Sequence, residues 1–206
     1  MYKLYHTQVT GNSYKVRLLL SLLGVSYVPI HVDIFHGENR TADYLALNPL
    51  GKVPTLILPD GRVLTESNAI LVYLAEGSRF LPRDRYDRAK VFQWMFFEQY
   101  SHAPYIAVAR FWIRLLGRGE EKRHERPLWQ EKGNLALSIM DQELNQRDFL
   151  ATRRYTIADI ALYAYTHVAD EGEFDLQPYP AIRAWLQRVS DQPGHAPMDY
   201  RPDQSQ

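Results

Sequence analysis

"MYKLYHTQVTGNSYKVRLLLSLLGVSYVPIHVDI", residues 1–34, carries two different periods. Its first six residues are rich in aromatic and apolar side chains and read as a strand. Val16, Leu19, Leu20 and Leu23 then recur at i, i+3, i+4 and i+7, the spacing of one helical face. Gly24 stops that helix. Val28, Ile30 and Val32 alternate with Tyr27, Pro29 and His31, and a period of two is a strand. Pro29 cannot donate to a sheet ladder, which restricts this strand to an edge. Strand, helix, strand predicts a parallel βαβ unit with a right-handed crossover.

Residues 37–48 read as a loop and a short helix. "VPTLILPDGRVLTE", residues 53–66, reads as two strands joined at Pro59-Asp60-Gly61, a tight-turn signal. "SNAILVYLAEG", residues 67–77, is a helix with Ser67 as candidate N-cap and Gly77 at its end. The first ~80 residues therefore read βαβαββα, an α/β domain. Strand signals stop after "GSRFLPRD", and residues 85–192 read as helical throughout. Pro104 should kink or split the long apolar stretch around it. Pro127 is acceptable in a first helical turn. Leu137, Met140 and Leu144 form a stripe, a helix follows from Thr156, and Ile182, Trp185, Leu186 and Val189 mark the last one. The expected division is 1–78 as the α/β domain, 79–84 as linker, and 85–206 as an all-α domain ending in a Pro- and Gln-rich tail.

Composition narrows the chemistry. The 206 residues are 46% hydrophobic, enough for one large domain or two small ones. Lys+Arg and Asp+Glu both number 24, so no general field attracts nucleic acid or an acidic membrane. Cysteine is absent, which excludes disulfides, thiolate metal sites and a protein thiol nucleophile. The seven histidines form no His-x-His or His-Glu-x-x-His pattern, so no metal site is expected. No apolar run approaches the ~20 residues of a membrane span, and the first residues lack a signal-peptide core. The expectation is a soluble, cytoplasmic protein.

Three stretches can hold a ligand. "TGNS", residues 10–13, crowds polar groups before a helix that needs one cap. "NPLGKVPTL", residues 48–56, has a Val-Pro bond between loop and strand, where a cis or a trans peptide is possible. "LTESNAI", residues 64–70, opens a helix with a carboxylate and a hydroxyl. Its free N–H groups and dipole suit an anion, and Glu66 suits an ammonium group. In an open α/β sheet, ligands bind beyond the carboxyl ends of the strands. Converging there, the three stretches would make a receptor for a small zwitterionic peptide.

With "FLATRRYTIADIALYAY", residues 149–165, these stretches resemble the glutathione S-transferase family over roughly residues 1–192. The resemblance is to cytosolic bacterial members with a Ser/Thr/Asn-type site rather than a Cys-type one. It implies a thioredoxin-like N-terminal domain, an all-α C-terminal domain, and glutathione as co-substrate without a metal. In the last stretch Thr156 and Asp159 would form the family's buried capping box, with Tyr155 and Ile160 at the staple positions; Thr152 stands where a Gly is common. Glu66 and Ser67 would hold the γ-glutamyl end, Val53 before Pro54 the cysteinyl backbone, and Lys52, Arg40 and Asn39 the glycyl carboxylate. Thr10, then Asn12, then Ser13 would face the sulfur, with Tyr5 as an outside candidate. A free Cys-like thiol is only ~3% ionised at neutral pH, and two units of pKa correspond to about 2.7 kcal/mol of preference for the anion.

The resemblance further implies an apolar electrophile, with Phe97, Tyr100, His102, Tyr105, Val9 and Phe35 as possible liners, and a homodimer active in detoxification. The expected activity is conjugation of glutathione to apolar electrophiles. The alternatives are glutathione-dependent peroxide or disulfide reduction on the same fold, and a non-catalytic binding scaffold.

Overall fold

A computed structural model describes residues 1–201. It divides into two compact units, Met1–Glu76 together with the segment from Pro193 onward, and Gly77–Gln192.

The first unit runs β1 (Tyr2–His6), α1 (Gly11–Leu23), β2 (Tyr27–His31), α2 (Ala42–Leu47), β3 (Thr55–Ile57), β4 (Val63–Leu64) and α3 (Ser67–Ala75). The four strands lie in the order β2-β1-β3-β4. β1 and β2 are parallel, as the strand–helix–strand reading requires, while β3 is antiparallel to both β1 and β4. β2 is the edge strand, where the missing N–H of Pro29 breaks no inner ladder. Leu4, Val16, Leu20, Leu56, Leu58 and Ile70 close the core between sheet and helices. At the end of α1, Gly24 has φ 64, a left-handed cap that a glycine adopts without a Cβ clash.

The second unit begins with α4 (Arg85–Phe97), whose first N–H groups bond the Asp84 carboxylate. A wide π turn over Glu98–His102 follows, then α5 (Ala103–Arg110) and a second π turn over Phe111–Leu115. The long helical stretch is thus split at Pro104. The proline ring has no N–H to give, and the neighbouring Ala103 N–H instead reaches back five residues to Glu98 O. α6 (Arg126–Leu144), α7 (Ile157–Thr166) and α8 (Pro180–Ser190) complete the unit. Thr156 and Asp159 form the capping box at the start of α7. The buried Asp159 carboxylate also accepts from Leu150 N at 2.9 Å and Trp185 Nε1 at 3.1 Å.

Two expectations about boundaries change. Residues 79–84 are not a bare linker: Phe80 and Leu81 are buried, and Phe80 O accepts from Ile157 N, which ties them into the helical unit. The tail, expected to continue the helical domain, packs from Pro193 with the α/β unit, because side chains of α1 bind its carbonyls. Residues 202–206 of that tail lie outside the described residues.

Candidate functional site

The antiparallel register of β1 and β3 sets Thr55 opposite Tyr5. The turn leaving β1 therefore lies beside the Val53-Pro54 bond that enters β3, and that bond is cis. Buried polar groups fix this entry. Tyr44 Oη donates to Lys52 O at 2.7 Å and lies 3.0 Å from Thr55 Oγ1. Asn48 Nδ2 donates to the same carbonyl at 2.8 Å. Among the described residues, no hydrogen bond engages the N–H or C=O of Val53. A half-buried backbone edge is thereby left open to an extended peptide.

The polar cluster 10–13 divides its labour. Thr10 is the N-cap residue of α1 by its backbone, yet its side chain caps nothing. Its Oγ1 lies 3.1 Å from Thr7 O and 2.8 Å from Ser13 Oγ. Ser13 is fully buried and accepts from Thr7 N at 3.2 Å, so its hydroxyl ties the turn to the helix. Asn12 reaches the other way: its Oδ1 accepts from Ser67 Oγ at 3.2 Å, although 55 residues separate the two. Of the three candidates, Thr10 and Asn12 are part-exposed at the turn and Ser13 is interior. Tyr5 packs its ring edge-on to Tyr44, within the support of β3.

Ser67 was the expected cap of α3, but it is the first helical residue, and Glu66 occupies the cap with φ 65 and ψ 111. An L-residue adopts that conformation only when its surroundings impose it. Glu66 is exposed, and its carboxylate caps none of the first N–H groups of α3. Lys15, which the sequence does not single out, is fully buried. Its Nζ lies 3.4 Å from both Ser67 Oγ and Asn68 Oδ1. Its only sequence signal is its place one residue before Val16 on the buried side of α1.

The predicted carboxylate-binding group gathers at a second corner. Asn39 Nδ2 donates to Gly51 O at 2.7 Å, and Arg40 Nη1 donates to Leu50 O at 3.2 Å. Gly51 has φ 60, and a Cβ there would meet Arg40 Nη1 at 2.6 Å, so glycine permits this close approach. Arg40 and Lys52 are exposed cations on either side of it. Tyr44 and Asn48 are the supports that sequence reading missed, although Asn48 opens the motif it singled out.

The expected liners of an apolar pocket differ in exposure. Val9, Phe35 and Tyr100 are exposed, and Phe97 and Tyr105 are half-buried. His102 is fully buried, its Nε2 3.0 Å from Thr166 Oγ1, so it belongs to the interior of the helical unit. Among the described residues no group of His, Cys, Asp or Glu could hold a metal, and no helix is long and apolar enough to cross a membrane.

The family description "Glutathione S-transferase, N-terminal domain" matches residues 11–76, and "Glutathione S-transferase, C-terminal domain" matches residues 94–193. A glutathione S-transferase from Pseudomonas fluorescens, solved by crystallography, is 53% identical with a TM-score of 0.93, over 96% of this chain and 98% of its own. A glutathione transferase from Burkholderia graminis, solved with two glutathione molecules bound per subunit, is 28% identical with a TM-score of 0.83, over 94% of this chain and 85% of its own. The disulfide-bond oxidoreductase YfcG of Escherichia coli is 27% identical, over 89% of this chain and 88% of its own. Matched along both units, by sequence and by fold, the chain belongs to the glutathione S-transferase family.

Proposed function

We propose that this protein is a glutathione transferase that joins the sulfur of glutathione to an apolar electrophilic carbon. The observation that carries the reading is the Asn12–Ser67 contact at 3.2 Å. It unites the turn after β1 with the start of α3, so one ligand spans a sulfur-facing group and an anion-binding helix end. Glu66 holds the ligand's ammonium group, and the first N–H groups of α3 hold the neighbouring carboxylate together with Ser67, whose hydroxyl proton turns from Asn12 Oδ1 to it. The open N–H and C=O of Val53 pair with the central peptide unit. Lys52, Arg40 and Asn39 meet the far carboxylate.

Held at both ends, the tripeptide presents its thiol to Thr10 and Asn12. A hydroxyl or amide donor at the positive end of α1 favours the thiolate, and most of the required 2–3 kcal/mol is within reach of one charge-assisted hydrogen bond plus the helix dipole. In this arrangement Thr10 turns its hydroxyl proton away from Thr7 O toward sulfur, a rotation about one bond. Binding the electrophile alongside then supplies proximity. The chain works, in this reading, as a cytoplasmic homodimer in detoxification; sedimentation checks the dimer.

A second reading, reduction of peroxides or mixed disulfides by glutathione, draws support from the similarity to YfcG and from the inward engagement of the Thr10 hydroxyl. Turnover of a chloronitrobenzene, measured beside turnover of an organic hydroperoxide and a mixed disulfide, separates the two. Fast conjugation supports the transferase. Reduction with negligible conjugation replaces it by the second reading, and failure to bind immobilised glutathione removes both.

A further inference from the structure

The segment from Gly194 to Tyr200 runs along α1 in the opposite direction, and side chains of the α/β unit hold its backbone carbonyls one after another. Ser21 Oγ donates to Gly194 O at 2.8 Å. Tyr14 Oη donates to Ala196 O at 2.9 Å. Arg17 donates through Nη2 to Met198 O at 3.0 Å and through Nη1 to Tyr200 O at 3.2 Å. Gln8 Nε2 donates to the same two carbonyls, at 2.7 Å and 3.0 Å.

This strap ends on the turn that carries the candidate sulfur-facing residues. Gln8 lies two residues before Thr10, and its own carbonyl accepts from Arg17 Nη2 at 2.8 Å. From within, the turn is fixed at Thr7 and at the start of α1: Thr7 Oγ1 donates to Val32 O at 2.6 Å, and Ser13 holds Thr7 N. The outer half of the turn is held by Gln8 and, through it, by Arg17. Arg17 is only 4% exposed, and three carbonyls share its guanidinium. Charge-assisted bonds from a rigid fork are strong and directional, and removing Arg17 takes that donor from Gln8 O and one side-chain donor each from Met198 O and Tyr200 O.

We infer that Gln8 and Arg17 are positioning residues, which use the C-terminal segment to clamp the Thr7–Thr10 turn and so fix where Thr10 meets the sulfur. The role for sulfur rests on the proposed function above, whereas the clamp on the turn does not. The strap thereby links the far end of the chain to the geometry of the site without touching the ligand.

The test uses the full-length protein and the variants Gln8→Leu, Arg17→Met and Arg17→Lys. In the absence of glutathione, hydrogen exchange at the Thr7–Thr10 amides is expected to speed up ~10-fold or more in Gln8→Leu and Arg17→Met. Amides of β1 such as Leu4 should keep wild-type rates, and Arg17→Lys should recover part of the protection. With glutathione bound, the ultraviolet titration of its thiolate should shift upward by about one unit, leaving about tenfold less thiolate at neutral pH. Affinity by calorimetry should change less than ~3-fold, because Glu66, Ser67 and Val53 are untouched. Wild-type exchange at the turn in both Gln8→Leu and Arg17→Met overturns the clamp. A uniform rise across β1 and α1 also overturns it, since that marks lost stability rather than lost positioning. A faster turn with an unmoved thiolate titration overturns the link to sulfur. If wild-type protein fails to bind glutathione, the proposed function falls, and the exchange measurement still decides the clamp.

Discussion

At the scale of single residues, Glu66 and Ser67 make opposite demands. Ser67 is buried and bonded to Asn12 and near Lys15. Ser67→Ala removes one hydrogen bond to a carboxylate, worth about 1.5 kcal/mol or slightly more. Glutathione affinity should fall ~10-fold by calorimetry, and loss of the bond to Asn12 should also lower the unfolding midpoint modestly. Unchanged affinity would remove Ser67 from the site. Glu66 is held at φ 65, a backbone state that costs an L-residue on the order of 1–3 kcal/mol. Glycine relieves that strain and gives back about 0.5–1 kcal/mol through the unfolded chain. Glu66→Gly is therefore expected to be more stable to urea by about 1 kcal/mol and yet to bind glutathione more weakly. A variant that loses stability would show that the carboxylate anchors the fold rather than the ligand.

At the scale of elements, packing overrides propensity in α6. Gly133 lies in the middle of that helix, where alanine ordinarily gains about 1 kcal/mol. A Cβ there would stand 2.3 Å from Cε1 of the buried Phe174 ring and 3.2 Å from Ile106 Cγ1. Overpacking of that kind costs about 1–3 kcal/mol, so Gly133→Ala should lower the urea midpoint; a rise would mean that the ring moves freely. Elements with an amphipathic period were legible beforehand. β1, α1 and β2 form where their periods place them, although α1 is buried on nearly every side from Ser13 to Leu20, and the Thr-x-x-Asp box before α7 announces its own bonds. The π turn over Glu98–His102 was not legible, because a proline signals that a hydrogen bond is missing and not how the backbone makes it up. Ser67 misled for a related reason: a hydroxyl at a helix start reads as a cap, and only the left-handed φ of Glu66 reveals that the helix begins one residue later. The grip of Gln8 and Arg17 on the tail was hidden more deeply, since backbone carbonyls are the same at every position and leave no mark in sequence.

At the scale of the whole molecule, the two units carry buried titratable groups of opposite sign. In the α/β unit, burial pushes His6 from 6.5 down to about 4, helped by the nearby charges of Arg17 and His31. Folded His6 stays neutral where the unfolded chain takes up a proton. The stability it contributes is full above the unfolded value and is lost as pH falls through the window from 6.5 to about 4. In the helical unit, burial raises Asp159 from 3.8 to about 6 against the bonds it accepts from Leu150, Thr156 and Trp185. Here the folded state holds the proton more tightly, so this contribution is full below 3.8 and is lost as pH rises through about 6. Acidification toward about pH 5 therefore weakens the first unit while it strengthens the second. All four tryptophans fall within Gly77–Gln192, so their fluorescence follows the helical unit alone, whereas far-ultraviolet circular dichroism follows both. In urea, the dichroism midpoint should drop below the fluorescence midpoint at about pH 5, with a smaller gap at neutral pH. His6→Leu should narrow the gap at about pH 5, because it removes the proton uptake that drives it. Midpoints that stay together at both pH values, or a gap that His6→Leu leaves unchanged, would show that His6 does not set the acid sensitivity of the α/β unit.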